Sequence, residues 1–427
     1  MYDTIIIGGG ASGLVAAIVA IKNNEKVLLL EKMPQCGLKL RITGKGRCNI
    51  TNTLPLKEFL THCGSEPRFL YPSFSKFFNT ELISFLEDLG LDVVIERGNR
   101  VFPASGKAQD VFLALIKYLE DNNCAIIKNT RVTNLIVKEN KVIGVETKPF
   151  GDKSSNNKTS TKNFYASKVI LASGGQSYPN TGSDGDGIKL AQSVGHTIVE
   201  TFPSLVGLRL LHYNANDIYP RLINFETKNV EAVIKNSQGK IIAKEFGDII
   251  FREDHIDGPI ILTISRQIAH LLGKEKLYLE LDLKPAIEQI TLDRKLQTEL
   301  NQRGRESIES TLRAFLPLEI IYLIKHKTKI NFSKPSSQIN KEERKEILAL
   351  LKNLKFEIID SMGFQRAVVT KGGISLKEVN PKTIESKLIN GLYFCGEVLD
   401  LDADTGGYNL QIAFSTGYLA AQKHSQE

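Results

Sequence analysis

The sequence has no C-x-x-C pair, and its five cysteines, at positions 36, 48, 63, 124 and 395, show no pairing spacing. A disulfide framework, a zinc site or any other metal centre, and a dithiol redox pair are therefore not expected, and the usage fits a reducing compartment. Long apolar runs are also missing. The longest near the start, Leu14 to Ile21, is far too short to cross a bilayer, so no membrane segment is expected. No basic stretch precedes the apolar strand around Ile5-Ile6-Ile7, so no secretory or transit peptide can be fitted and a cytoplasmic location is expected. No internal repeat is present.

What is there belongs to an ordinary globular chain. Hydrophobic residues make up 42% and charged residues 24% of 427 residues, a length that exceeds one hydrophobic core and predicts two or three domains. The formal charge of +7 would help a polyanionic partner without requiring one.

The first thirty residues read strand, glycine turn, helix, strand: Thr4 to Ile7, Gly8 to Gly13, Leu14 to Lys22, Lys26 to Glu31. Helical stretches follow around Phe74 to Leu89 and Gln109 to Asn122, then the alternating pair Thr130 to Lys138 and Lys141 to Thr147. Residues Lys148 to Asn163, rich in Lys, Ser, Asn and Thr, read as a hairpin tip or mobile loop. Lys168 to Ala172 is an apolar strand that returns to the parallel sheet. From His196 to about Ile264 the pattern is of short alternating strands with turns at Asn236 to Gly239 and Asp257 to Pro259, Leu272 to Lys329 reads mostly helical, and a last helix runs from about Leu410 to Lys423. The expected fold is α/β: a discontinuous Rossmann-like dinucleotide-binding domain over 1–195 and 360–427, interrupted by a β-rich, barrel-like insert over 196–270 and about 330–359 and a helical insert over 271–329.

Gly8-Gly9-Gly10-Ala11-Ser12-Gly13 satisfies G-x-G-x-x-G in the context the motif needs, directly after a strand and directly before a helix. The first glycine permits the tight turn, the second lets backbone approach a pyrophosphate and the third lets helix and strand pack closely, while the helix N-terminus supplies free N–H groups. Glu31 ends the second strand, where an acid accepts hydrogen bonds from a ribose diol and disfavours a 2′-phosphate. This unit alone leaves FAD and NAD both open.

Four further segments are informative together: Gly37 to Asn52, with Lys39, Arg41, Lys45 and Arg47 among small polar residues; Leu171-Ala-Ser-Gly-Gly175; Thr181-Gly-Ser-Asp-Gly-Asp-Gly187; and Phe394-Cys-Gly-Glu-Val-Leu-Asp400 with Thr405-Gly-Gly-Tyr-Asn-Leu-Gln411. In this order they closely resemble the bacterial two-domain NAD(P)/FAD-dependent oxidoreductases, a family of aminoacetone oxidase-like flavoproteins that includes bile-acid enone reductases and ribosomal RNA dihydrouridine synthases. The resemblance implies an extended FAD. Its adenosine end would lie at Gly8, Gly10, Ala11, Ser12, Gly13, Glu31 and Lys32, with Val132 at the adenine by analogy of placement. The segment with Lys39, Gly44, Gly46, Arg47 and Asn49, and the turn with Ala172, Gly174 and Gly175, would line its length. The isoalloxazine end would meet the closing motif, with Gly396, Glu397, Gly407, Tyr408, Asn409 and Leu410, and Asp400 would suit a ribityl hydroxyl or a pyrophosphate-bound water. Free N–H groups before the last helix could stabilise negative charge on a reduced flavin. Members of the family tend to carry a Thr-His-x-Gly-x-Ser-Gly-Pro run where this chain has Phe251 to Pro259, which puts Glu253 in the histidine's place and His255 two residues on.

A flavin reductase needs a group that polarises the acceptor and a general acid. Arg47 and Lys45 could polarise a carbonyl; Cys48, Tyr178, His212, His255 and Tyr408 could supply a proton, with Arg47, Cys48 and Tyr408 as the leading catalytic candidates. No second G-x-G-x-x-G follows a strand, so NAD(P)H, if used, would bind transiently at the flavin face. The expected activity is reduction of an activated C=C bond, with a uridine in ribosomal RNA or a small enone as substrate. The cations Arg303, Arg305, Arg313, Lys325, Lys327 and Lys329 lean modestly towards RNA. An amine or aminoketone oxidase using oxygen, and a flavin-binding sensor without turnover, are the alternatives.

Overall fold

The protein is described by a computed structural model covering residues 1–64, 66–151 and 161–423. Most of the serine- and lysine-rich loop inside 148–163 lies outside the described residues. The chain divides into two units, one of 1–203 with 368–427 and one of 204–367.

In the first unit, Tyr2–Ile7 pairs in parallel with Val27–Leu30 on one side and with Lys162–Leu171 on the other. Ala125–Ile127 extends the sheet beyond Val27–Leu30, and Leu392–Phe394 pairs in parallel with Lys162–Leu171. The antiparallel strands Lys141–Pro149 and Thr130–Lys138 complete seven strands. Ile5, Ile6, Leu28, Leu29 and Leu171 are fully buried, the continuous apolar pattern of parallel strands covered on both faces. The opening helix Ala11–Lys22 and the closing helix Tyr408–Ala421 are buried along most of their lengths. That is why neither shows a polar stripe. A Cβ on Gly417 would run into the Ser12 backbone, so these two helices pack backbone to backbone.

Residues 38–52 depart from a simple loop. Leu38–Gly46 is helical, but Thr43, Gly44 and Lys45 leave helical geometry, and Lys45 and Cys48 join Gly44 and Gly46 at positive φ. Holding two non-glycine residues there costs on the order of 1–2 kcal/mol each and requires firm surroundings.

The second unit is a closed six-stranded barrel in the order Leu208–Leu210, Ile256–Asp257, Ile241–Phe251, Phe225–Asn236, Leu277–Asp282 and Leu354–Ser361. Asn236 Oδ1 accepts from the backbone N–H of Gln238 and Lys240 in the hairpin turn, and Gly239 takes positive φ. Residues 271–329, read from sequence as a separate helical insert, contain the barrel strand Leu277–Asp282. The helices Gln289–Gln302, Leu318–His326 and Lys341–Lys352 share one apolar cluster with the barrel, in which Leu296, Ile321 and Leu351 join Phe251, Leu279 and Phe356.

Candidate functional site

The glycine turn, Glu31 and the four segments that carry the family resemblance all follow the C-terminal ends of parallel strands, which close at Ile7, Leu30, Leu171 and Phe394. Gly8 has φ +104°, and a Cβ on it would lie 2.6 Å from the Ala172 carbonyl oxygen, so the first glycine is fixed by backbone crowding. Gly10 is different. It sits at the helix entrance with nothing within 4 Å of an added Cβ, and no side chain caps the helix. The first turn therefore offers unpaired N–H groups to open space, the condition for holding a pyrophosphate.

Glu31 is buried at 8% exposure; Oε2 accepts from Gly9 N–H at 2.8 Å and Oε1 from Met33 N–H at 2.8 Å. Burial lifts its carboxyl above the ordinary value, while the Met33 and Gly9 N–H groups and Lys32 pull the other way. Thr130 N–H donates to the Glu31 carbonyl at 3.0 Å, which places Val132, 5% exposed and paired with Thr147, two residues further along that strand. Lys32 gives its ammonium to Asp184 and, at 2.9 Å, to Asp186, which also pairs with Arg131 at 2.5 Å.

The glycines of the other segments mark close passages. A Cβ on Gly174, at φ +74°, would lie 2.6 Å from Ser183 Oγ, and one on Gly396 would lie 2.6 Å from Ser12 Oγ. Glu397 receives Lys39 Nζ at 2.6 Å, the Ser177 hydroxyl and Thr370 N–H at 2.8 Å, binding four segments of the unit to one carboxylate. Gly407, at φ +100°, backs onto the Thr51 main chain and precedes the closing helix, again without a side-chain cap. The Asn409 amide holds the preceding loop, accepting from Ala403 N–H and donating to the Ala403 and Asp404 carbonyls. Asp400 is pushed above its ordinary value, first by burial and then by neighbouring Asp402.

Three polar atoms in these segments, Asn49 Oδ1, Ser173 Oγ and Ser183 Oγ, are buried with no hydrogen-bond partner among the described residues. Such a group costs about 1–3 kcal/mol unless something satisfies it. Three of them, one beside Gly8, one beside Gly174 and one beside Gly44, fit a polar cofactor. Ser173 and Ser183 were missed as individual residues in the sequence, although both lie inside motifs that were recognised.

The leading catalytic candidates fare differently. Arg47 is exposed, ion-paired with Glu96 and laid over the Phe102 ring at 4.4 Å. Cys48 has no exposed surface and burial pushes its thiol up to about 12, so it does not meet the sequence-based expectation of a proton donor. Tyr408 is 5% exposed, wedged edge-on against Phe59, with its phenol raised to about 12 by burial and by Asp404. Tyr178 opens a 3-10 turn at φ +51°. His212, at φ +54°, is exposed. His255 pairs with Asp254 at 2.8 Å, and Glu253 accepts from the Asn216 amide at 3.0 Å. Gly258 at φ +110° and Pro259 at the start of the helix Pro259–Ile268 form a helix entrance.

One cluster was not anticipated. His62 Nδ1 lies 3.1 Å from Asp404 Oδ2, and its ring stacks on Tyr408 at 4.4 Å and 17°. The two partners are 342 residues apart in sequence, so no local pattern announces them.

A parallel sheet, a glycine turn opening onto an uncapped helix entrance, and a second uncapped helix entrance at the closing glycines define a Rossmann-type FAD-dependent oxidoreductase. The family model described as the HI0933-like protein Rossmann domain matches residues 2–423, and the chain belongs to this family. It is 31% identical over 421 residues to the 3-dehydro-bile acid delta(4,6)-reductase of Clostridium scindens, covering 98% of this chain and 97% of that protein. To the ribosomal RNA dihydrouridine synthase of Escherichia coli it is 24% identical, over 99% and 97%. Among solved structures, 3-ketosteroid delta1-dehydrogenase from Sterolibacterium denitrificans superposes with a TM-score of 0.50 at 14% identity, over 98% of each chain, a likeness of fold alone. No helix among the described residues is long and apolar enough to cross a membrane.

Proposed function

We propose that this protein reduces a C=C bond conjugated to a carbonyl, with FAD as its bound cofactor and NAD(P)H as the source of electrons. FAD would supply hydride transfer when bound. The protein's part is to hold it: Gly10 and the first turn of the opening helix at the pyrophosphate, Glu31 at the ribose diol, the Asn49 amide oxygen as acceptor and the Ser173 and Ser183 hydroxyls as donors along its length, and the N–H groups of Tyr408, Asn409 and Leu410 at the edge that becomes negative on reduction. The observation that carries the reading is the pair of helix entrances in one unit that no side chain caps, one at Gly10, which also faces open space, and one at Gly407, which is held against the Thr51 main chain.

The two relatives named above act, by name, on a bile-acid enone and on uridine. These substrates share one chemistry, because the 5,6 double bond of uracil is conjugated to its C4 carbonyl. A small enone fits this chain better than RNA. Two of the six cations that suggested RNA are paired with nearby acids: Arg303 with Glu299 and Glu306, and Lys325 with Glu309. Burial also lowers the Lys327 ammonium's proton affinity, and Lys327 lies over the Phe356 ring. An RNA surface needs unmatched positive charge.

The test is NADPH or NADH consumption by the purified protein with a cyclic 4-en-3-one, an unmodified ribosomal RNA fragment, or neither. A ketone product heavier by two hydrogens, formed faster than any dihydrouridine, supports the small-enone reading. Dihydrouridine alone would move the substrate to RNA, and peroxide without either product would make the protein an oxidase.

A further inference from the structure

Adding hydride to the β-carbon of an unsaturated carbonyl leaves the former π pair on the α-carbon and carbonyl oxygen, where one proton is required. The obvious candidates do not offer it: Cys48 is sealed, and Tyr408 is buried with its phenol raised. We propose that His62, oriented by Asp404 and stacked on Tyr408 beside the entrance of the closing helix, is the catalytic proton donor. The proposal rests on the reductase reading above.

The geometry is specific. Cys63 bridges to Ala403, Gly64 N–H donates to the Asp402 carbonyl at 2.7 Å and Asp404 N–H to the His62 carbonyl at 2.9 Å, so residues 62–64 are fastened along 402–404. That strip runs straight into Gly406-Gly407 and the first N–H groups of the closing helix. A carboxylate can only accept, so Nδ1 must carry the hydrogen shared with Asp404 Oδ2. One ring face lies on Tyr408, and the side chain keeps 38% exposure. The Nε2 edge is therefore the part of His62 left to meet a substrate at that helix entrance, and solvent can recharge it. An acid that fixes one imidazole nitrogen and leaves the other to the substrate is an efficient arrangement for general acid catalysis.

The step balances. NAD(P)H provides the hydride by way of the cofactor, the β-carbon forms a C–H bond, the π bond opens, and the proton on Nε2 passes to the α-carbon. His62 becomes neutral and takes a proton from water. Asp404 acts through His62 and is a positioning residue.

The test uses the FAD-loaded protein with His62→Gln, His62→Ala and Asp404→Asn variants, reduced anaerobically and mixed with a cyclic enone. Reduction by NADPH and the affinity of stripped protein for FAD, read by flavin fluorescence, should stay within about twofold of wild type. Reoxidation by the enone should slow by about 10²–10⁴-fold in His62→Gln, less in Asp404→Asn, and free imidazole should restore part of the rate in His62→Ala. Wild-type reoxidation in His62→Gln, or slowing that tracks lost FAD affinity without imidazole rescue, would overturn the assignment alone. A wild-type protein that never passes electrons to an enone would overturn it together with the reductase reading.

Discussion

The two units are built by different means. In the dinucleotide unit, Gly8, Gly174, Gly396 and Gly407 stand at positive φ against other main chain or hydroxyls, and buried Asn49, Ser173 and Ser183 atoms are left without partners. The barrel unit is built by alternation, with Leu277, Leu279 and Leu281 buried in turn on one strand, and its interior is closed by Phe251, Phe332 and Phe356. The buried polar atoms of Asn49, Ser173 and Ser183, left without partners, mark a surface shaped for something else to fill; the alternation of the barrel strand marks one shaped for itself.

That contrast should break most sharply at the glycine turn. Gly8→Ala must place a Cβ 2.6 Å from the Ala172 oxygen at φ +104°, so it should abolish FAD binding and lower the stability of the whole unit. Gly10→Ala, at φ −82° and in open space, should keep the melting temperature of the FAD-free protein while losing FAD affinity more than tenfold. Equal behaviour of the two variants in calorimetry and FAD titration would erase the distinction between a packing glycine and a ligand-facing one.

Next in size is the barrel core. Phe251→Ala should cost about 3–5 kcal/mol in denaturant unfolding of the barrel unit, because Phe251 is fully buried. FAD content should remain that of wild type. Loss of FAD in this variant would show that cofactor binding depends on the barrel core.

Glu31 gives a smaller effect with a definite sign. Its folded value is raised by burial, so the FAD-free protein takes up this proton more readily than the unfolded chain and the group's contribution to stability grows as pH falls. FAD affinity should move the other way, since the protonated acid accepts fewer ribose hydrogen bonds, weakening as pH drops from neutral into the carboxylate range. Glu31→Gln should flatten that dependence in FAD titrations. Smallest is Arg303→Ala, which removes an exposed ion pair worth under about 1 kcal/mol. It should leave enone turnover unchanged and, if the acids around it neutralise its charge, RNA affinity as well.

Legibility from sequence follows the range of the interactions. The turn at Gly8 to Gly13 and Glu31 was readable because strand, glycines, helix and acid lie within one local unit, whose register is then seen in the pairing of Ile7 with Leu30. The closing glycines were readable through resemblance in the same way. The barrel's closure was not, since Leu208–Leu210 pairs with Leu354–Ser361 across the whole insert. Leu277–Asp282 alternates as a strand, yet it sits among helical segments whose leucines mask its period. Arg47 and Cys48 looked chemical in sequence; tertiary structure ties one to Glu96 and Phe102 and buries the other. His62 and Asp404 meet only when the chain's two ends come together, and no spacing rule covers that.

The most direct test of the central claim is an anaerobic titration. Purified protein is bleached with one equivalent of NADPH per flavin and then mixed with a cyclic enone in the absence of oxygen. The account predicts full return of oxidised FAD absorbance with one saturated ketone formed per flavin. Bleached protein that the enone leaves unchanged, and that only air reoxidises, would contradict it.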